Sequence, residues 1–236
     1  MNMNIFRPSG LQLSDTEKRT FRLHTFHMFI EGIIDGSLVL NEFILIKSLF
    51  GSDYQLGMLF QFSVIVLLFS VVFNELIKRT VRKRKLLLIA AFFTRLPLAL
   101  FIFFPTQHFL VESNPVYPLV FLLIFLFYYI YKPVILPTIN LFLRTNYSPE
   151  HFGSLYSYST LIKKIVVIVS TFLFGWLLDF NHYAFVYVYP VLAVMGIFSV
   201  YLLTRMDYQP LVHHNHSKNL VNSSVFVQER CDSIQC

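Results

Sequence analysis

The sequence predicts an all-α, polytopic membrane protein with six transmembrane helices and both termini in the cytoplasm. Three observations carry that expectation. Hydrophobic residues make up 56% of the 236 and charged residues only 14%, where a soluble domain carries about a quarter charged. The apolar residues come in long unbroken runs, not in the ~10-residue alternating segments of a membrane β-barrel. The basic residues gather in every second connection, the bias that orients spanning helices. With 27 Phe, 13 Tyr and a mean hydropathy of +0.60, a water-soluble globule of 27.7 kDa could not bury so much apolar surface. An ordinary soluble enzyme, a disordered chain and a disulfide-stapled secreted domain are excluded on the same grounds.

A span needs about 20 mostly apolar residues, and six stretches satisfy this, at about 24–48, 55–76, 86–105, 117–143, 159–179 and 184–205. The stretch 1–23 reads as a cytoplasmic arm, 24–206 as the six-helix bundle and 207–236 as a polar cytoplasmic tail. The arm lacks the apolar core and small-residue cleavage site of a signal peptide, so insertion is expected to begin at the first span. Within it, Ser14-Asp15-Thr16-Glu17 is a capping box and predicts a helix that starts there and runs on into the first span. Pro97 and Pro190 predict kinks in the third and sixth spans. Pro133 and Pro137 open the fourth span further, by freeing the carbonyls of Tyr129 and Pro133. The tail contains His213, His214, His216, Cys231 and Cys236, but their spacing fits no zinc motif.

Orientation follows from charge. Sixteen of the 19 Lys and Arg fall in the arm, the second-to-third connection, the fourth-to-fifth connection (Arg144, Lys163 and Lys164) and the tail. Lys47 alone lies on the other side, while Arg95 and Lys132 lie within spans. That distribution puts both termini in the cytoplasm. The three Asn-x-Ser sequons at Asn146, Asn215 and Asn222 would then stay unmodified. The net charge of +6 reflects topology, and no nucleic-acid partner is expected.

Ionisable residues inside a span are costly and mark a pathway or a partner. Glu31, Asp35 and Glu42, spaced i, i+4 and i+11, fall within about 40° of one another on a continuous helix. His24 and His27 extend that stripe. Gly32 and Gly36 beside it permit close approach of a neighbouring helix. The stripe reads as a proton, cation or substrate path lined by the first helix. The other reading is that Glu31 and Asp35 only pair with buried bases to fix packing. Arg95 and Lys132 are the matching bases, and two acids against two bases form a neutral set. Lys132, next to the prolines of the fourth span, suits a midplane site in a partly open helix, or a plain kink. Gln61, Asn140 and Asn41 add polar contacts, either to the path or between helices. No metal site is expected, because ligands on one continuous helix do not close a coordination shell. No Gly-rich phosphate loop, Gly-x-Ser-x-Gly elbow or His-Glu-x-x-His is present. No catalytic residue, cofactor or enzymatic activity is expected.

The order of spans, the basic second-to-third connection and the turn after the fourth span resemble the N-terminal six-helix half of a major facilitator superfamily transporter. From Pro137 through NLFLRTNYSPEHFG the chain is similar to that family's span proline followed by Pro-Glu-x-Arg-Gly. Pro149, Glu150 and Gly153 match, and Phe152 replaces the Arg. Gly175-Trp-Leu-Leu-Asp179 is similar to the family's ending of the fifth span. The signature Gly-x-x-x-Asp-Arg-x-Gly-Arg-Arg/Lys is matched in part by Asn74 to Lys83. Arg79, Arg82 and Lys83 fit, while Asn74, Lys78 and Val81 stand for Gly, Asp and Gly. The resemblance implies that Asn74, Arg79, Arg82 and Lys83 form a cytoplasmic latch, with Glu75 standing in for the missing acid. Otherwise the basic run Lys78–Lys85 is a topology anchor. It implies that the first and fourth helices line a central cavity, with Arg95 packed inward. It implies movement of a small solute by alternating access, with Glu31 or Asp35 as the proton-coupling acid. The family's cavity lies between two six-helix halves, so a second half or a second copy of the chain is the implied partner, along with the lipid of a cell (inner or plasma) membrane. The alternative function is a non-transporting six-helix membrane protein that binds partner chains or lipid.

Overall fold

The computed structural model describes residues 13–206 except 80, 81, 108, 110, 112 and 113. The arm up to residue 12, the whole tail from residue 207 with its histidines and cysteines, and Val81 of the signature lie outside the described residues. So do the side chains of Asn74, Lys78 and Lys83. Among the described residues the protein is all-helical, with no strand. The elements in order are α1 (Asp15–Leu38), α2 (Asn41–Phe43) running into a π-helical turn (Ile44–Ser48), α3 (Asp53–Arg79), α4 (Lys83–Ala99) ending in a 3-10 turn (Leu100–Phe103), α5 (Val116–Tyr129), α6 (Tyr131–Asn146), α7 (Pro149–Phe180) and α8 (Phe185–Thr204).

Among the described residues, four helical stretches are long and apolar enough to cross a membrane: Arg84–Phe103, Val116–Asn146, Pro149–Phe180 and Phe185–Thr204. The chain is therefore a helical membrane protein. Its outer surface fits that solvent: Phe103, Phe172 and Phe180 are each at least three-quarters exposed, and only a bilayer makes such exposure inexpensive. Inside, α1 differs from the four. It has Lys18, Arg19, Arg22, His24, His27, Glu31 and Asp35 along one 24-residue helix.

Three elements differ from their sequence expectations. The first span is not one continuous helix. It breaks at Val39–Leu40 and resumes as α2 and the π turn. The 100° step therefore cannot be carried from Asp35 to Glu42, and Glu42 is exposed, away from the buried stripe. The fourth span is interrupted at Ile130, between α5 and α6. This is the break expected from Pro133, whose ring excludes the carbonyl four residues back. The fifth span begins at Pro149, about three turns earlier than its apolar core suggests. Lys163 and Lys164, assigned above to a connection, are thus well inside α7.

The register of the helices follows from their contacts. Glu17 meets Ser148 and His151, Thr25 meets Ser159, and Gly36 meets Thr171. The offset stays between 131 and 135 residues, so α1 and α7 run parallel. Gly32 and Gly36 bring them together: a Cβ on Gly36 would lie 2.5 Å from the Val167 carbonyl oxygen, and one on Gly32 would lie 2.9 Å from that of Lys163. Conversely α1 and α8 are antiparallel, because His27 meets Ser199 whereas Asn41 meets Tyr189. So are α4 and α8: Arg84 reaches Met206 and Arg95 packs on Gly196, while Phe101 contacts Tyr189. Hence α1, α4 and α7 run one way and α8 the other.

Two apolar cores sit at the two ends of the bundle. One joins Leu98, Phe101, Phe121, Phe125, Phe185 and Tyr189. Phe101 is its centre, with ring centroids 5.5 Å from Phe121 and 5.0 Å from Tyr189. The other joins Leu87, Ala91, Ile139, Phe142, Leu155 and Val200 at the end where α1 starts. Between them lies a polar layer.

Candidate functional site: a charged layer at mid-height

The layer is built from the middle turns of α1, α4, α7 and α8 and from the end of α5. Glu31 and Arg95 form its buried centre. Arg95 Nη2 donates to both carboxylate oxygens of Glu31, at 2.7 and 2.9 Å. Arg95 is fully buried and Glu31 is 2% exposed. Nη1 of Arg95 donates to the Tyr128 hydroxyl at 3.3 Å, and the guanidinium lies 5.1 Å from the centre of the Tyr128 ring. Gly196 makes room for this arginine, since a Cβ there would stand 3.1 Å from Arg95 Cδ and Nη1. In a low dielectric such an ion pair persists only with good geometry and further hydrogen bonds, and this one has both.

Asp35 belongs to the same layer but faces another helix. Its Oδ2 is 2.7 Å from Lys163 Nζ, and the two side chains remain 29% and 24% exposed. Two turns before Asp35 on α1, His27 Nδ1 and the Ser199 hydroxyl lie 2.6 Å apart, both buried. His24 is buried against Tyr156, with stacked rings 5.8 Å apart, and its Nε2 has no hydrogen-bond partner among the described residues.

The neutral set therefore forms with a different membership. Glu31 takes Arg95, as the deep-charge argument allows, but Asp35 takes Lys163, not Lys132. Lys132 is exposed on α6, one turn past Tyr128, with its ammonium 5.5 Å above the Tyr129 ring. Asn140 is partly buried two turns further along α6, and Gln61 is exposed on α3. Neither joins the layer. Asn41 instead accepts a hydrogen bond from the Tyr189 hydroxyl at 2.7 Å, in the core centred on Phe101. The sequence reading missed Lys163, Tyr128, Ser199 and Gly196. Gly196 carried a usable signal, since a glycine in a bulky spanning helix marks a close neighbour. The others depend on which helices meet.

Of the expected latch residues, Arg79 and Arg82 are exposed at the α3–α4 connection. Arg79 Nε is 3.1 Å from Glu75 Oε1 on its own helix. The Pro-Glu pair of the fourth-to-fifth turn forms the first turn of α7, with Pro149 following the Ser148 N-cap. Among the described residues no three His, Cys, Asp or Glu side chains gather as metal ligands would.

A second polar node ties the helix starts together. Glu17 closes the capping box of α1: its Oε2 accepts from the Ser14 N–H at 2.9 Å, and its own N–H donates to the Ser14 hydroxyl. Its Oε1 accepts from the Ser148 N–H at 3.0 Å and the Ser148 hydroxyl at 2.8 Å, with His151 Nδ1 at 3.2 Å. One carboxylate thus serves the N-termini of both parallel helices. Burial pushes its pKa up, but the backbone bonds from Ser148 and Ser14 and the side chains of Ser148 and His151 outweigh that and bring it from 4.5 down to about 2. A depressed carboxyl stabilises the fold fully above its unfolded value, and the contribution is lost as pH falls from about 4.5 toward 2. Glu17→Gln should lower stability at neutral pH by about 1–3 kcal/mol. It should also flatten the acid limb in that window, read by thermal unfolding in detergent at stepped pH.

No family model, no characterised protein and no solved structure matches the chain. The resemblance to the major facilitator superfamily therefore rests on the quoted residues alone. The class that fold and site define is a helical membrane protein with a layer of paired charges between two apolar cores.

Proposed function

We propose that the chain is a six-span transporter bundle of the major facilitator type, one half of a unit that moves a small solute by alternating access. The carrying observation is the mid-height charged layer, and above all its open part. Glu31–Arg95 is sealed, but the Asp35–Lys163 pair within α1 and α7 remains partly accessible and Lys132 on α6 is exposed, and charge open to hydrocarbon is costly. Charges left open there call for a polar cavity or a second bundle to face. The break between α5 and α6 beside Lys132 is how transporters expose backbone at a midplane site. α3 supplies a further apolar run, LGMLFQFSVIVLLFSVVF, so six long segments are available as spans. Arg19, Arg22, Arg84 and Lys85 lie at the starts of α1 and α4 and Arg205 at the end of α8. The positive-inside rule then puts that end, and both termini, in the cytoplasm of a cell membrane. In this reading Asp35 carries the proton and Lys163 responds to it, while Glu31 and Arg95 hold α1 to α4 and α8 as a structural pivot.

The test is uptake of a panel of radiolabelled small solutes into proteoliposomes under an imposed pH gradient. Asp35→Asn is expected to reduce uptake at least about tenfold with insertion retained. Unchanged uptake in that variant would remove Asp35 from the mechanism. A second reading, a non-transporting bundle that binds partner chains or lipid, is favoured by one observation. Two open grooves among the described residues, one between α1, α7 and α8 and one at the α1–α8 end, are lined by none of Glu31, Asp35 and Arg95. That reading expects no flux of any solute and a stable partner that co-purifies.

A further inference from the structure

Two buried imidazoles lie between the end of the bundle where α1 starts and the charged layer, and packing alone does not account for them. His24 is fully buried and His27 is 2% exposed. A leucine at either position would fill the same space at no desolvation cost. An imidazole buried among apolar side chains has polar nitrogens that must be satisfied. Among the described residues the Nε2 of His24 is not.

The partners of the two rings are of one kind. His27 Nδ1 is 2.6 Å from the Ser199 hydroxyl, and His24 Nδ1 is 3.5 Å from the Tyr147 hydroxyl, at the outer limit of a hydrogen bond. A carboxylate or backbone carbonyl beside Nδ1 would fix one tautomer. A hydroxyl both donates and accepts, so it serves either tautomer. Each ring is thus free to take a proton on one nitrogen and release one from the other. The helices set this up. His24 and His27 are one turn apart on α1, and Glu31 and Asp35 follow at four-residue steps on the same face. Ser199 is one turn past Gly196 on α8, the glycine against which Arg95 packs.

Around His24 stand Tyr147 of α6, Tyr156 of α7 and His27. Around His27 stand Ser199 of α8 and, through space, Arg95 of α4, Lys163 of α7 and Asp35 of α1. His27 therefore feels both ion pairs of the layer. His24 faces the other way, toward the helix starts: Tyr147 precedes Ser148, which shares Glu17 with the partly exposed His151. Beyond the layer the chemistry differs. There the Tyr189 hydroxyl is committed to Asn41, in the core around Phe101.

We propose that His24 and His27 form a proton relay that connects the end where α1 starts to Asp35. This rests on the reading of Asp35 as the proton carrier. One nitrogen of His24 takes a proton from the aqueous side, and the other gives one up toward His27. His27 repeats the exchange. The proton comes to rest on the Asp35 carboxylate, which becomes the neutral acid and loosens from Lys163. Each ring ends with the charge it began with, and the hydroxyls of Tyr147 and Ser199 turn to match the new tautomers. Nothing is oxidised or reduced.

The test uses the full chain in lipid nanodiscs. After a pH jump, the Asp35 carboxyl is followed by time-resolved infrared difference spectroscopy, with Asp35→Asn assigning its band. The probe is the proton, so no solute is needed. His27→Gln keeps a partner for Ser199 but cannot pass a proton, and should slow the protonation of Asp35 at least about tenfold. Tyr147→Phe keeps the ring against His24 and removes only the hydroxyl, and should slow it several-fold. In both variants the final amplitude of the band should equal that of the parent, because a relay changes a rate and not an equilibrium. Parent rates in both variants would overturn the relay and leave the transport reading standing. A parent rate with a reduced amplitude would show that the histidines only support the fold, and would overturn the relay as well. A parent protein without an Asp35 band would overturn Asp35 as the proton carrier, and the relay with it.

Discussion

Arg95→Met should destabilise the protein by about 3–5 kcal/mol, because it leaves Glu31 buried with its countercharge gone. Both carboxylate oxygens of Glu31 are held by one Arg95 nitrogen, and neither residue reaches the surface. The bundle cannot hydrate Glu31 without opening the contact between α4 and α8, where Gly196 lies against the guanidinium. Glu31→Leu combined with Arg95→Met should restore most of the loss, since apolar replacement of a complete buried pair is often neutral or stabilising. Thermal unfolding in detergent of the single and double variants measures both. A loss below about 1 kcal/mol in the single variant would mean that water reaches Glu31 in the native state. The layer would then be hydrated through its sealed part too. In contrast to Asp35→Asn, this pair of variants tests architecture: the double variant removes the pivot's charge and should keep the bundle.

The next largest effect is expected at the crossing of α1 on α7. Gly36→Leu should cost about 3 kcal/mol or more, and Gly36→Ala about 1–2, once the gain in helix propensity is set against the clash. The Cβ would lie 2.5 Å from the Val167 carbonyl oxygen and 2.8 Å from Ser170 Cβ. Backbone must therefore move, and it cannot move alone. The Thr171 hydroxyl donates to the Gly36 carbonyl at 2.9 Å, and the Asp35–Lys163 pair sits beside it. Gly57→Ala and Gly153→Ala serve as controls. Both glycines are in helices with open space at the Cβ position, and each change should stabilise by up to about 1 kcal/mol. The difference between Gly36 and the two controls, measured by thermal unfolding, separates packing from propensity. Gly36→Ala as stable as the controls would mean that α1 and α7 do not touch at the register described.

The charged layer and the crossing are parts of one arrangement. Parallel α1 and α7 share one carboxylate at their starts, Glu17, and a close approach at Gly32 and Gly36. This fixes Asp35 opposite Lys163. Antiparallel α8 brings Ser199 to His27 and Gly196 to Arg95. The polar groups thus converge although they come from five helices. The apolar cores lie on either side of them, because a charge moved one or two turns along α4 or α8 would meet Phe101 and Tyr189 or Leu87 and Val200.

The sequence by itself determined the class of this protein, and for a definite reason. In a bilayer every backbone polar group must be satisfied within its own segment, so long apolar runs dictate helices without reference to partners. The start of α1 at its capping box and the break before Pro133 were legible in the same way, because capping and the missing proline donor act within a few residues. So was the presence of charge within the helices at Glu31, Asp35 and Arg95, of which Glu31 and Arg95 are buried. Only the tertiary structure decided which charges meet. Lys163 was counted with a connection although it falls within 159–179, and only the parallel packing of α7 on α1 sets it opposite Asp35. Glu42 left the stripe because α1 breaks at Val39–Leu40, and Lys132 is exposed with its ammonium over the Tyr129 ring instead of against Asp35. Pairing is set by helix register, and register depends on small contacts such as Gly36 on Val167 that lie more than a hundred residues apart in the chain.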